Sequence, residues 1–316
     1  MAEVQNVRLY RPGDETEITA LFKGIFGREM SLQEWKWKYV ESYPDKIYST
    51  VAEDSRMGIV GHYGAVCLPL IYRGQPAKGL AICDVMIHSK FRGIKTLKAL
   101  SSLIPAEAVK DGIIIGYGFP TVDILLRPAL SLGIYEKVED VLEGNKEAVF
   151  HNDPIRYSFR LFPLEYPDER IDHLWNLCKN NTSLSVVRNM KYFTWRYKNH
   201  PFFNYELWGL KKRMGRRLLG LAVLRREKDR ILIIDFLSMK EMFEPLFQKI
   251  ENYIYSTGLK TITFWFPPFM REKITALEFS IKKSPTSIPR TTYEKTLTKE
   301  EMAGKFFYTM GDTDFL

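Results

Sequence analysis

DVMIHSKFRGIKTLKAL, residues 84–100, is the stretch on which the reading of this chain turns. It begins inside the apolar run KGLAICDVMIH, which has the composition of a strand, and passes through a short polar turn around Arg92-Gly93. The following FRGIKTLKALSSLIPAEAV places Leu97, Leu100 and Ile104 on one face at helical spacing. The first N–H groups of such a helix have no intrahelical partner, and the peptide dipoles put positive charge at that end, so the turn is a ready anion site. Arg92 and Lys95 add formal charge beside it.

Working outward, the upstream chain reads as strand NVRLYR, a turn at Pro12-Gly13-Asp14 with Asp14 placed to cap ETEITALFKGIF, and a second helix SLQEWKWKYVE. Ser31, with Glu34 three residues on, gives that second helix a capping-box start. YSTVAED and GIVGHYGAVCLPLIYR follow as strands, and with KGLAICDVMIH they form an antiparallel meander turning at Ser55–Gly58 and Arg73–Pro76. Downstream, GIIIGYGF is a continuous apolar run suited to a buried strand. TVDILLRPALSLG is a short helix, broken or kinked at Pro128 and closed by Gly133, and the strand YEKVEDVLE ends the half.

The second half repeats this order. Trp37-Lys38-Tyr39 recurs as Trp195-Arg196-Tyr197, Val60-Gly61 as Leu219-Gly220, Ile82-Cys83-Asp84 as Ile233-Ile234-Asp235, and Gly118-Phe119-Pro120 as Trp265-Phe266-Pro267. Matches that keep the same order predict two related domains, 1–147 and 157–316, joined where strand patterning lapses near 148–156. A length of 316 residues also favours two domains.

Composition narrows the class. Hydrophobic residues at 45% and charged residues at 27% belong to a packed protein and exclude general disorder. No apolar run is long enough to cross a membrane, and the first residues lack the apolar core of a secretory signal, so a cytoplasmic protein without membrane insertion is expected. Cys67, Cys83 and Cys178 lack CxxC spacing, and the histidines at 62, 88, 151, 173 and 200 are isolated, so no metal site is expected. Neither GxSxG nor a P-loop is present. The net charge of +8 favours an anionic partner, but it is spread along the chain. Its one dense cluster, KKRMGRR at 211–217, sits between strand-like runs and reads as a solvated hairpin turn before a nucleic-acid patch.

The order β-α-α-β-β-β-α-β-α-β, carried by DVMIHSKFRGIKTLKAL, GIIIGYGFP and the short helix ending in Gly133, resembles the GNAT superfamily of N-acetyltransferases. The GFP segment, the Trp-x-Trp-Lys-Tyr helix and Gly61-His62-Tyr63-Gly64 are similar to a poorly characterised bacterial and archaeal subgroup of it. The resemblance implies an α/β fold of two tandem GNAT-like domains, each a mixed, mostly antiparallel sheet flanked by helices. It implies acetyl-CoA, or another acyl-CoA, as co-substrate, held along Val85, Met86 and Ile87 and in the turn Arg92, Gly93, Ile94, Lys95, Thr96 and Leu97. The family's two small loop residues fall here on Lys95 and Leu97, and its acidic tyrosine on Ala129.

Candidate catalytic residues follow. Asp84 is a candidate general base, although Asp235 at the repeated position argues for a structural role. His62, on an apolar strand, is a base near neutral pH or a hydrogen-bonded core residue. Tyr117, with Tyr135 nearby, can donate to a leaving thiolate or simply pack. Phe119 is placed at the acceptor, as are Asp312 and Asp314, carried on a C-terminal segment whose aromatics predict docking. After Asp235 the second copy has no Arg-Gly turn, and Glu241 and Glu244 at its helix start repel phosphate while stabilising the helix. The reading is an acyl-CoA-dependent N-acyltransferase moving an acetyl group to an amine of a small-molecule or sugar-type acceptor. Two alternatives stand beside it: a catalytically idle GNAT-like binding or regulatory protein, and an aminoacyl-tRNA-dependent transferase of related tandem fold. Nucleic acid is otherwise not favoured as a partner.

Overall fold

The computed structural model describes residues 4–43, 46–121, 126–152, 157–166, 168–293 and 297–313. The chain forms two compact units, and neither is one continuous stretch. The first holds Met1–Leu70, Pro76–Glu139 and Pro285–Ala303, and the second holds Ile71–Gln75, Asp140–Ser284 and Gly304–Leu316. The boundaries drawn from the sequence as 1–147 and 157–316 therefore differ in kind from this division. The strands Gly58–Tyr72, Gln75–Ile87, Glu136–Glu147 and Ser280–Thr292 each contribute residues to both units.

In the first unit β1 (Asn6–Leu9), β2 (Tyr48–Asp54), β3 (Gly58–Tyr72) and β4 (Gln75–Ile87) lie side by side in chain order. β5 (Ile115–Gly118) then joins β4 in parallel from Gly79↔Ile115 to Ile82↔Gly118. The C-terminal end of β13 (Ser280–Thr292) closes this sheet, antiparallel to β5, with Arg290 opposite Tyr117. Helices α1 (Glu15–Phe26) and α2 (Leu32–Tyr39) follow β1, and α3 (Ile94–Ser102) and α4 (Ile104–Lys110) connect β4 to β5. One core joins Tyr63, Ala65 and Leu80 of the sheet to Leu100, Ile104 and Ala108 of these connecting helices.

The single helix expected over 91–109 is two. Pro105 lacks an N–H, and its ring crowds the carbonyl four residues back, so the chain restarts at Ile104 with proline in the first turn. Of the two outcomes expected at Pro128, a break or a kink, the proline stands in the first turn of a helix Arg127–Ser131 (α5); residues 122–125 lie outside the described residues. Ser31 caps α2 as expected, accepting from Glu34 N–H at 3.0 Å, but the Glu34 carboxylate goes to Arg28, leaving half a capping box. Asp14 stands at the N-cap of α1 as expected, but its side chain makes no cap bond, because Arg8 holds its carboxylate at 2.7 and 2.9 Å.

In the second unit β6 (Glu136–Glu147), β12 (Thr261–Phe266), β11 (Arg230–Ser238), β10 (Gly220–Arg226), β9 (Glu206–Lys212) and β7 (Phe159–Pro163) form a sheet in that spatial order, with β11 and β12 parallel. A short pair, β8 (Leu184–Val186) with β14 (Phe306–Phe307), stands beside it. The core is aromatic: Phe236, Phe264, Phe266 and Phe279 meet Phe243 and Phe247 of the helix Phe243–Ser256. The repeat is visible in the geometry. Asn189 accepts from Tyr192 N–H at 2.9 Å, just as Ser31 caps α2, and opens the counterpart helix Met190–Phe193. Strand pairing shifts one sequence match: Ile233 pairs with Phe264, so the counterpart of Gly118 is Phe264, one residue before the Trp265 chosen from the sequence.

Candidate active site

Parallel pairing of β4 with β5 ends at Ile82↔Gly118, whereas β4 runs on through Cys83, Asp84, Val85, Met86 and Ile87. Gly118 suits the point of parting, since a Cβ there would lie 3.1 Å from the Ile82 carbonyl oxygen. At this point β4 is irregular. Asp84 has φ of +47°, a left-handed conformation rare outside glycine. Successive strand side chains normally point to opposite faces. Here both Cys83 and Asp84 reach one hydroxyl, that of Tyr39, at 3.3 Å (Sγ) and 2.7 Å (Oδ2).

The Asp84 carboxylate also receives Lys38 Nζ at 3.1 Å on each oxygen, with both side chains only 5% exposed. Burial alone would push Asp84 upward, but the Lys38 ammonium and the Tyr39 hydroxyl hold it below the usual carboxylate range. Backbone strain at Asp84 is thus held by a buried ion pair and a phenol. His62 lies alongside and is fully buried, with Nδ1 2.7 Å from the Asp84 carbonyl oxygen and Nε2 2.8 Å from Ser49 Oγ. A carbonyl can only accept, so Nδ1 carries the proton and Nε2 accepts from Ser49. Burial, opposed in part by Asp84, lowers the His62 pKa and keeps the ring neutral.

Beyond β4 the chain makes a 3₁₀ turn at Ser89–Phe91, where Arg92 Nε bonds the Ile87 carbonyl at 3.3 Å, and then enters α3. Among the described residues no side chain caps α3, and its first backbone bond runs from Leu97 N–H to Gly93 at 3.1 Å. The N–H groups of the first turn therefore point out of the helix end, next to an exposed Arg92. Thr96 is buried and its hydroxyl donates to the Phe91 carbonyl at 2.9 Å, which pins the turn to the helix. Val85 and Ile94 are exposed at 38% and 51%, giving the cradle an apolar lining beside its charge.

A sequence model of the GNAT acetyltransferase domain matches residues 6–137, the span that contains all of this geometry except the returning strand. Residues 6–137 belong to the GNAT superfamily. Solved structures share the fold over 92% of the chain. A GCN5-related N-acetyltransferase from Anabaena variabilis is 15% identical with a TM-score of 0.68, covering 73% of that protein. A conserved protein of unknown function from Enterococcus faecalis is 13% identical with a TM-score of 0.71, covering 72%. N-myristoyltransferase from Saccharomyces cerevisiae, solved with myristoyl-CoA, is 8% identical with a TM-score of 0.60, covering 83%. Among curated proteins none matches significantly.

Within the GNAT domain the residues singled out from sequence separate into groups. Val85, Met86, Ile87 and Arg92 through Leu97 lie together along the end of β4 and the start of α3. Lys95 is exposed and Leu97 half-buried, while Leu100 and Ile104 carry the helix's core face. Asp84 and His62 sit together behind the strand, both without open access. Tyr117 is 1% exposed and packs edge-on against Phe119 at 6.3 Å, so both rings belong to the core. Tyr135 bonds the Tyr63 hydroxyl instead.

Asp312 is placed elsewhere. It lies in the second unit, buried, with Oδ2 on Arg188 and on Thr309 N–H, and therefore closes a capping box where an acceptor contact was expected. Asp314 lies outside the described residues. The expected docking of the C-terminal segment is seen inside the second unit, where Phe306, Tyr308 and Met310 are buried. Sequence reasoning missed Lys38, the cation on which Asp84 depends. Its signal was the repeat itself: a cation followed by tyrosine in both copies, each matched by an aspartate on the later strand.

Proposed function

We propose that the chain is an acyl-CoA-dependent N-acyltransferase whose GNAT domain binds the thioester co-substrate and moves an acyl group, acetyl in the simplest case, to an amine of a small-molecule or sugar-type acceptor. The observation that carries this reading is the uncapped start of α3 beside Arg92, at the end of a strand that continues past its pairing with β5. An outward-facing helix N-terminus suits a pyrophosphate. The unpaired edge of Val85, Met86 and Ile87 offers backbone groups to a pantetheine amide arm. The thioester supplies an activated carbonyl: the amine nitrogen bonds to it, the C–S bond breaks, the nitrogen loses one proton and the departing sulfur gains one.

Asp84 and His62 serve this chemistry by position. A carboxylate held by Lys38 and kept low in pKa is a weak base, and both His62 nitrogens are engaged. Together they hold the irregular stretch of β4 that leads into the cradle. The second unit carries Glu241 and Glu244 where its helix begins and is assigned no cofactor.

Calorimetric titration with acetyl-CoA and with free CoA tests the reading. Micromolar binding is expected, and Arg92→Glu should weaken it more than tenfold by turning a charge-assisted contact repulsive. Lys240→Glu, the matched change in the second unit, should leave it unchanged. No heat at millimolar ligand would establish the idle-protein alternative.

A further inference from the structure

The β9–β10 hairpin of the second unit ends in Lys211, Lys212, Arg213, Met214, Gly215, Arg216 and Arg217. Among the described residues none of these five cationic side chains has an ion-pair partner. Lys211 lies over the Phe162 ring at 5.2 Å, and the others, Lys212 through Arg217, are exposed. Strand β7 runs beside the hairpin, placing Arg160 opposite Lys211 and bonding Ser158 O to Arg213 N–H at 3.0 Å. That contact brings Tyr157, 61% exposed, to the same end. Asp168, the nearby acid, is already held by Arg170. At the apex of this cationic loop stands Met214, 98% exposed.

We propose that this hairpin tip is a peripheral docking site for an anionic lipid bilayer surface. Protection of an edge strand against pairing would account for Arg160 and Lys211. It does not account for an apolar side chain held fully in water at the apex. A convex tip with cations around one flexible apolar residue matches a soft planar interface: headgroup phosphates meet Lys and Arg while methionine and tyrosine enter the headgroup layer. A nucleic acid would reward the cations but gain nothing from Met214, and among the described residues the tip carries no stacked aromatic pair for bases. The attachment is reversible, since one short apolar residue anchors weakly and the cations supply the rest. It depends on nothing assigned to the α3 cradle.

Co-sedimentation of the whole protein with phosphatidylcholine vesicles, with and without phosphatidylserine, tests this. Binding is expected only with phosphatidylserine, and it should fall as salt rises. Neutralising two cations, Arg216→Gln with Arg217→Gln, should lower partitioning by about 25-fold at about fivefold per charge. Met214→Gln, which leaves the charge unchanged, should lower it several-fold. The exposed positions leave the melting temperature unchanged, so a loss of binding reads on the surface alone. Vesicle binding indifferent to phosphatidylserine, or unaffected by Met214→Gln, overturns the proposal. So does an RNA or DNA duplex that binds through the same arginines while vesicles do not.

Discussion

The two units bury the same polar knot and complete it differently. In the first, the Tyr39 hydroxyl donates to Asp84 at 2.7 Å, and in the second the Tyr197 hydroxyl donates to Asp235 at 2.7 Å. Tyr39 ends a helix capped by Ser31, Tyr197 lies in the π turn that continues a helix capped by Asn189, and each aspartate sits where a strand loses regularity. The cations differ. Lys38, next to Tyr39, pairs with Asp84, but its counterpart Arg196 reaches away to the carbonyls of Gly311 and Thr313 at 3.0 and 2.8 Å. Arg188, from the residue before the Asn189 cap, takes over Asp235 at 3.0 Å and holds Asp312 as well. The counterpart helix also relaxes into a π turn, with Asn199 N–H bonding Thr194 O at 2.9 Å. The C-terminal segment has thus been built into the second knot, whereas the first remains a property of the GNAT domain's own strands. A shared scaffold holds an irregular strand in both, and only the first leads on to a helix whose first turn carries no acidic side chain.

The comparison breaks most sharply at Asp235. Arg188 is fully buried and cannot reach water, so Asp235→Ala leaves a guanidinium with half its counter-charge and strips Tyr197 and Thr309 of an acceptor. Truncating one member of such a pair costs about 3–5 kcal/mol, which at this size lowers the melting temperature by roughly 5–8 °C. Asp84→Ala should cost less, because a lysine's flexible stem lets its ammonium move toward solvent. Differential scanning calorimetry ranks the two, and equal losses would show that the cation's identity is immaterial.

Lys38→Met sharpens the first knot through its pH dependence. With Lys38 present the folded pKa of Asp84 lies below its unfolded value, so its stabilisation is in place above about pH 4 and is lost as pH falls through the folded value. Without the ammonium, burial dominates and the folded pKa rises. The same carboxyl then favours folding below about pH 4 and costs stability as pH rises through its new value. Urea midpoints across pH should change slope in sign between wild type and variant, with a loss of about 2–4 kcal/mol at neutral pH. Parallel curves would mean that Lys38 does not govern Asp84.

This knot also measures what was legible beforehand. The strand–turn–helix at 84–100, the Ser31 cap, the meander and the repeat all rest on local spacing, and local spacing is what a sequence prints. The crossing of β13 between units leaves no such mark, since an exchanged strand has the same alternation as one that stays. Asp84 stood out because an acid in an apolar strand is unusual, but its chemistry depends on Lys38, 46 positions away, and on a left-handed φ that no residue type announces. Asp312 misled for the same reason: carboxylates among aromatics look like a binding site until the buried Arg188 is placed beside them.

A smaller effect separates the halves at His62 and Ser49, polar partners in the first unit whose strand counterparts in the second are Leu221 and Leu207. His62→Leu leaves the Asp84 carbonyl and the Ser49 hydroxyl unpaired, a cost of about 1–3 kcal/mol. Adding Ser49→Ala should cost little more, since its partner is already gone, and a double-mutant cycle reads that coupling. Because burial depresses the folded pKa of His62, wild type should lose stability as pH falls below about 6.5, and the variant should not. A variant with an unchanged acid limb would move the titration to another group.

The smallest change is expected at Asp312→Asn. The Asp312 carboxyl is buried, Oδ1 has no hydrogen-bond partner among the described residues, and Asp235 lies close by. Burial and that neighbouring charge outweigh Arg188 and raise its pKa, so it favours folding below about pH 4 and gives up that advantage as pH rises through the folded value. An amide mimics the protonated form permanently. It keeps an oxygen to accept from Thr309 N–H at the position now held at 2.8 Å and relieves the repulsion with Asp235, while weakening the pair with Arg188. These effects oppose one another, so the net cost at neutral pH should stay within about 1 kcal/mol, and it should shrink further at acid pH, where wild type itself becomes neutral. Asp312→Ala, which also removes the cap, should cost about 1 kcal/mol more. If Asp312→Asn instead destabilises as much as Asp235→Ala, Arg188 treats its two carboxylates alike, and the C-terminal segment is a full partner in the second knot instead of an addition to a scaffold that both units share.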